Sequence, residues 1–254
     1  MSQKMLNYDN LSIIISYVKN NNMKLLRFVS KKNNMCITDN FKFDQKIKSK
    51  LDVIPKNVAR LIFCNDFNDS VDNIPNNVTH LIFGDSFNKS VDKLPNSITH
   101  LKFGWYFNQS VDNLPNSITH LSFGYHFNKS VDKLPNSITH LSFGYHFNQL
   151  VDALPNSVTH LTCGCHIDQS VDKLPNSITH LALGWSFNRP VNNLPKNMTH
   201  LTFDVRFNQS VDKLPSGITH LTFGWNFCES VDKLPKSVKY LKIGHKTIDT
   251  KNKR

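Results

Sequence analysis

Apolar side chains recur along this chain in units of twenty residues. In the unit from Leu101 to His120 they stand at the first, third, seventh, eleventh, fourteenth and eighteenth positions: Leu101, Phe103, Phe107, Val111, Leu114 and Ile118. The first and third alternate as a half-buried strand does, and the others are spaced by turns. Nine units in register start at Leu61, Leu81, Leu101, Leu121, Leu141, Leu161, Leu181, Leu201 and Leu221. A degenerate unit opens at Phe41 and keeps Phe43, Ile47, Leu51, Asp52, Pro55 and Val58, and a half unit from Leu241 closes the array. Fixed self-similarity at this period predicts a solenoid, in which each unit is one coil that buries its apolar side only by stacking on its neighbours. Pro recurs at position 15 from Pro55 to Pro235, and Gly holds most fourth positions, so no stretch inside a unit has room for a helix. The expected fold is mainly β, with about ten coils over residues 41–248 and one short strand per coil around positions 19 to 3.

The first forty residues follow a different rhythm. Leu11, Ile14, Ile15 and Val18 are spaced as the apolar stripe of an amphipathic helix, and Leu25, Leu26 and Val29 begin a second one. Three segments result: a small α-helical module over 1–40, the repeat array over 41–248, and a basic tail over 249–254.

Stacked coils also line up their polar residues. Asn follows the second Phe of the unit at Asn68, Asn88, Asn108, Asn128, Asn148, Asn188 and Asn208. An amide carries donors and an acceptor, so this column is expected to satisfy backbone groups at a corner of the coil. His closes eight successive units, at His80, His100, His120, His140, His160, His180, His200 and His220. So uniform a column is expected to be architectural, its imidazoles bonding one another or the backbone. Close imidazoles disfavour each other's protonation, which predicts a lowered pKa in the fold. Asp at position 12 is expected to bond nearby backbone N–H groups in an Asx-type turn. Gly at position 4 points to a tight corner or a close contact between coils. Cys64 and Asp204 in the same column argue against a left-handed backbone at every coil.

Variation concentrates at positions 5 and 6. Trp105, Tyr106, Tyr125, His126, Tyr145, His146, His166, Trp185, Arg206 and Trp225 stand there, and Trp, Tyr and Arg are the residue types enriched at binding hot spots. This edge is the candidate surface for a partner. The competing reading extends the alternation of positions 1 and 3, which would aim position 5 into the core. His126, His146 and His166 on adjacent coils, with Cys165 beside them, have the chemistry of a zinc set. Their spacing is a by-product of the repeat, however, and no metal is expected. Every His and Asp column is periodic, whereas an active site needs one unique constellation. No catalytic residue, cofactor or small-molecule substrate is expected.

Of the 254 residues 39% are hydrophobic and 19% charged, a globular composition. The net charge of +11 resembles a nucleic-acid signal until it is located. Residues 1–60 hold twelve Lys/Arg against four Asp, and residues 236–254 seven against one. The body between them holds eleven Lys/Arg against fourteen Asp/Glu, which disfavours a basic groove along the repeats. Nucleic acid or an anionic membrane remains a partner for the basic ends alone. Five cysteines without a regular framework suit reduced thiols. With no signal peptide and no membrane span, an intracellular and cytoplasmic protein is expected.

The motif Leu-x-Phe-Gly-x-x-Phe-Asn-x-x-Val-x-x-Leu-Pro-x-x-Ile-Thr-His, carried in register by the nine units, resembles the FNIP repeat. That family is known from social amoebae and amoeba-infecting giant viruses, and the resemblance implies a leucine-rich-repeat-like solenoid, with host cytoplasm as the location for a viral source. The run from Met23 to Lys31 resembles the middle of an F-box, a short helical module that docks on Skp1 in cullin-RING ubiquitin ligases. That resemblance makes Leu11, Ile14, Ile15, Val18, Leu25, Leu26 and Val29 the candidate Skp1 contacts. No Leu-Pro opens the run, and Lys32-Asn33-Asn34 stands where the F-box pattern has Trp. A helical cap over the open end of the array accounts for the same stripe. Three functions follow: a substrate-recruiting ubiquitin-ligase adaptor, a plain protein-interaction scaffold, or a binder of nucleic acid or anionic membrane through the basic ends.

Overall fold

The twenty-residue period becomes strand register. The computed structural model describes residues 58–249 and, ahead of them, only the backbone of four strands: β1 (Lys4–Tyr8), β2 (Leu11–Asn20), β3 (Met23–Ser30) and β4 (Met35–Cys36). The chain divides into two compact units, Met1–Gly124 and Tyr125–Arg254.

In the first unit, β5 (Arg60–Phe63), β6 (His80–Ile82), β7 (His100–Lys102) and β8 (His120–Ser122) form a parallel ladder. Leu61 stands opposite Leu81, Leu81 opposite Leu101, and Leu101 opposite Leu121. β4 runs antiparallel on β5, with Met35 opposite Phe63.

The second unit repeats the arrangement with β9 (His140–Ser142), β10 (His160–Thr162), β11 (His180–Leu183), β12 (His200–Phe203), β13 (His220–Phe223) and β14 (Tyr240–Ile243). Its leucines at 141, 161, 181, 201, 221 and 241 are likewise in register. β15 (Lys246–Asp249) folds back antiparallel on β14. The turn between them places Gly244 at φ 57°, the left-handed region that glycine enters without steric cost at the first corner of a two-residue hairpin. This hairpin covers an edge that would otherwise offer unpaired N–H and C=O groups.

Each strand is short because turn chemistry takes over at position 4. In the coil that starts at Leu81, Phe87 N donates to Gly84 O (3.4 Å), Leu94 N to Val91 O (3.3 Å) and Ile98 N to Pro95 O (3.3 Å). Three tight turns thus follow one strand. Pro, which has no N–H to offer, stands where only its carbonyl is needed. The six apolar positions point inward: Leu101, Phe103, Phe107, Val111, Leu114 and Ile118 are all buried. Phe103 and Phe107 stack at 3.7 Å within one coil, and Phe87 and Phe107 at 6.0 Å between coils. In the second unit Cys163 and Ile167 replace that pair in one coil and stay buried.

The described residues contain no helix. The helical module expected over 1–40 falls where only backbone is described, and there β1, β2 and β3 form an antiparallel sheet in the order β1-β2-β3, with Ile15 opposite Phe28 and Asn20 opposite Met23. The run Ile13-Ile14-Ile15 supplies a reason: β-branched side chains are restricted in a helix and fit a pleated surface. The docking side chains expected on this segment, Leu11, Ile14, Ile15, Val18, Leu25, Leu26 and Val29, lie outside the described side chains.

Candidate interaction surface

The uniform columns hold the coils together. Asn88 N donates to Asn68 Oδ1 (2.8 Å) and Asn108 N to Asn88 Oδ1 (2.9 Å) in the first unit. In the second, Asn148 N donates to Asn128 Oδ1 and Asp168 N to Asn148 Oδ1, both at 3.0 Å. Each amide oxygen satisfies a backbone N–H of the next coil, as the sequence suggests.

The imidazoles stack face to face. Ring centroids lie 4.2 Å apart from His80 to His100 and from His100 to His120 in the first unit. In the second unit His140, His160, His180, His200 and His220 follow one another at 4.1–4.2 Å. Thr immediately before each His fixes the ring. Thr159 Oγ1 lies 3.2 Å from Thr139 O and 2.9 Å from His160 Nδ1. One hydroxyl proton serves both contacts only if Nδ1 carries the ring proton and donates to Oγ1, which donates on to the carbonyl. Burial holds the pKa of His160, His180 and His200 below the ordinary value, with neighbouring imidazoles adding to the effect. At His80 burial acts with the Arg60 charge and His120. Sequence reasoning named the His column and overlooked its Thr partner, although Thr-His recurs as a pair from Thr79 to His220.

Asp at position 12 is held differently from the expected Asx turn. The serine two residues earlier accepts its N–H, as Ser90 Oγ does from Asp92 N (3.2 Å), and Ser90 Oγ donates to the Asp92 carboxylate (2.7 Å). The carboxylates also take a lysine from the next coil, Lys173 to Asp152 at 2.9 Å and Lys233 to Asp212 at 2.7 Å, which raises the pKa of both lysines. Burial pushes the Cys163 thiol up to about 12, so that thiol stays protonated and inert.

Positions 5 and 6 behave unlike any of these. They are the two corner residues of the turn closed from position 7 to position 4, as in Phe187 N to Gly184 O (3.2 Å), so strand alternation ends before position 5. The core-packing alternative is thereby corrected. Trp105 is 47% exposed and Tyr106 56% in the first unit; Trp185 is 49% and Trp225 62% exposed in the second. Tyr145, His166 and Arg206 are exposed as well, while Tyr125, His126 and His146 are half-buried. In the second unit Tyr125 stacks on Tyr145 at 4.6 Å, and His146 meets Tyr125 edge-on at 4.7 Å. His126 and His146 lie 5.2 Å apart, and His146 and His166 5.0 Å. Beside this edge a groove of about 340 Å³ is lined by Gly184, Thr202, Asp204, Thr222, Trp225 and Lys242. The ring of His245, in the turn before β15, meets Trp225 edge-on at 3.8 Å.

Among the described residues no group of three His, Cys, Asp or Glu is placed to hold a metal ion, and no helix is long and apolar enough to cross a membrane. In each unit the corner residues at positions 5 and 6 present large aromatic side chains to solvent. No curated protein matches the chain. The FNIP repeat model matches residues 67–94, 90–126, 110–133, 127–166, 170–204 and 207–246, well over half of the sequence. This chain belongs to the FNIP repeat family, and as a repeat scaffold it is built for protein interaction.

Proposed function

We propose that the chain captures a partner protein on the edge formed by positions 5 and 6, and that it serves in the cytoplasm as the substrate-recruiting adaptor of a Skp1–cullin–F-box ubiquitin ligase. One contrast carries the capture reading. The inward columns and the Asn, Thr and His columns repeat with little change and are engaged in packing or hydrogen bonds. The exposed edge changes from coil to coil and is rich in Trp and Tyr, which combine large contact area with little rotamer entropy. Ubiquitin transfer by other subunits requires no catalytic residue of this chain. The adaptor role rests on the sequence of the run Met23 to Lys31 alone, since the backbone there is strand β3 rather than the helix of an F-box.

Two measurements separate the parts of this reading. Affinity capture from a eukaryotic extract is compared between the full chain and variants carrying Trp105→Ala, Trp185→Ala or Trp225→Ala. Loss of one defined protein from the captured set is expected, and an unchanged set in all three variants removes the edge as the capture surface. Co-purification of the full chain with Skp1 tests the adaptor role. A folded chain that fails to retain Skp1 leaves a scaffold without a ligase.

A further inference from the structure

Within the edge of the second unit, charge is distributed unevenly. Its corner residues from Tyr125 to Asn226 include three imidazoles and one guanidinium, His126, His146, His166 and Arg206, and no carboxylate. The corner residues of the first unit include Asp66 and Asp85. The histidines of the uniform column have their Nδ1 atoms engaged by Thr, as His180 does with Thr179 (2.8 Å). Among the described hydrogen bonds, none uses a ring nitrogen of His146 or His166.

The groups around His146 are the rings of Tyr125, Tyr145, His126 and His166. The nearest carboxylate along the chain from His166 is Asp168, which is occupied by Arg189 at 3.1 Å. His146 stands between the other two rings, 5.2 Å from His126 and 5.0 Å from His166, and desolvation, with those two neighbours, holds its pKa down. An external carboxylate reverses that balance, since it favours the charged ring and offers each N–H an acceptor. The stacked Tyr125–Tyr145 pair gives such a ligand an apolar floor beside the charges.

We infer that the His126–His146–His166 cluster of the second unit receives an acidic segment of the partner protein, and that His146 takes up a proton as it binds. The inference rests on the edge being the capture surface and specifies what that surface selects. Binding therefore strengthens as pH falls, by about tenfold per pH unit for each proton taken up.

The test uses the full chain and a fluorescent peptide of alternating Glu and Asp, with a peptide of alternating Gln and Asn as the neutral control. Affinity is read by anisotropy at pH 7 and pH 6, for the wild-type chain and for His146→Gln/His166→Gln. The acidic peptide is expected to gain about tenfold at the lower pH on the wild-type chain, to lose that gain on the variant, and to exceed the neutral peptide throughout. Because His166 is exposed and His146 only half-buried, the variant is expected to melt with the wild-type chain. An equal pH gain in variant and wild type assigns the effect to the basic ends and overturns the inference. So does equal binding of both peptides, or preference for a single-stranded oligonucleotide lost in the same variant. If Trp185→Ala abolishes capture of the cellular partner while the double histidine variant retains it, the edge stands and the acidic selectivity falls.

Discussion

The rings of His160 and His180 lie 4.1 Å apart and within 14° of parallel. A proton on one therefore sits against the face of the other, in a half-buried site. Burial first, and neighbouring imidazoles second, hold both pKa values down. The unfolded chain titrates near the ordinary histidine value of about 6.5 and so binds more protons than the fold at any pH around it. Stability from this column is fully present above that value and is lost as pH falls through the lower folded values. The melting temperature should fall between pH 7.5 and pH 5.5, and His180→Tyr should reduce the slope, since Tyr240 already stacks on His220 at 5.8 Å. A melting temperature flat over this interval would contradict the account.

Gly104 is required for space rather than for backbone freedom. A Cβ built on it would stand 2.1 Å from Gly84 O, a backbone atom of the coil beneath. Asp204 occupies the equivalent place where the ladder runs one residue further, with Leu183 opposite Phe203 and Asp204 N on Leu183 O at 3.2 Å. Gly104→Ala has no such adjustment at hand and should cost about 3 kcal/mol, the upper end of overpacking penalties. Urea unfolding checks it, and a loss below about 0.5 kcal/mol would show that the coils separate easily.

Asn148 accepts from two groups of the next coil, Asp168 N at 3.0 Å and Gln169 Nε2 at 3.2 Å. Asn148→Ala leaves that backbone N–H without its acceptor at an exposed corner where water partly replaces it, and should cost about 1 kcal/mol. Asn148→Asp keeps an acceptor oxygen in the same place and should cost less. Equal destabilisation by the two substitutions would move the column's role from its oxygen to its amide group.

Much of this architecture is legible from spacing, and the boundary of what is legible has a physical origin. Period and polarity together assign Leu101, Phe103 and Phe107 to the core, because an apolar residue repeated at every coil has nowhere else to be buried. The Asn and His columns are legible for the same reason. The direction of Trp105 is not, because it depends on where strand alternation yields to a turn, and that is decided by the Phe-to-Gly hydrogen bond. Thr119 and Ser117 carry no apolar signal, so their bonds to the coil beneath stay hidden in the sequence, although Thr119 Oγ1 reaches Thr99 O at 3.2 Å and Ser117 Oγ reaches Ile98 O at 2.7 Å. Over Leu11 to Val18 the helical spacing competes with the strand preference of three successive isoleucines, and the backbone follows the isoleucines.

The coil of Gly217 lacks a bond that most of the described coils make. Position 17 carries Ser in most units, and its hydroxyl donates to the carbonyl of position 18 in the coil beneath, as Ser177 Oγ does to Val158 O at 2.7 Å and Ser237 Oγ to Ile218 O at 2.6 Å. At Gly217 the equivalent carbonyl, Met198 O, lies 3.1 Å from where a Cβ would stand, at a backbone φ outside the left-handed region. Gly217→Ser should supply the missing donor and restrict the unfolded chain, two effects of the same sign that together stabilise by about 1 kcal/mol. Gly217→Ala restricts the chain too and brings the same Cβ to 3.1 Å from Met198 O, so the difference between the two variants isolates the hydroxyl. If Ser is no better than Ala in urea unfolding, the hydroxyl-to-carbonyl bond contributes nothing here, and the stacking of coils rests on the backbone ladder and the apolar columns.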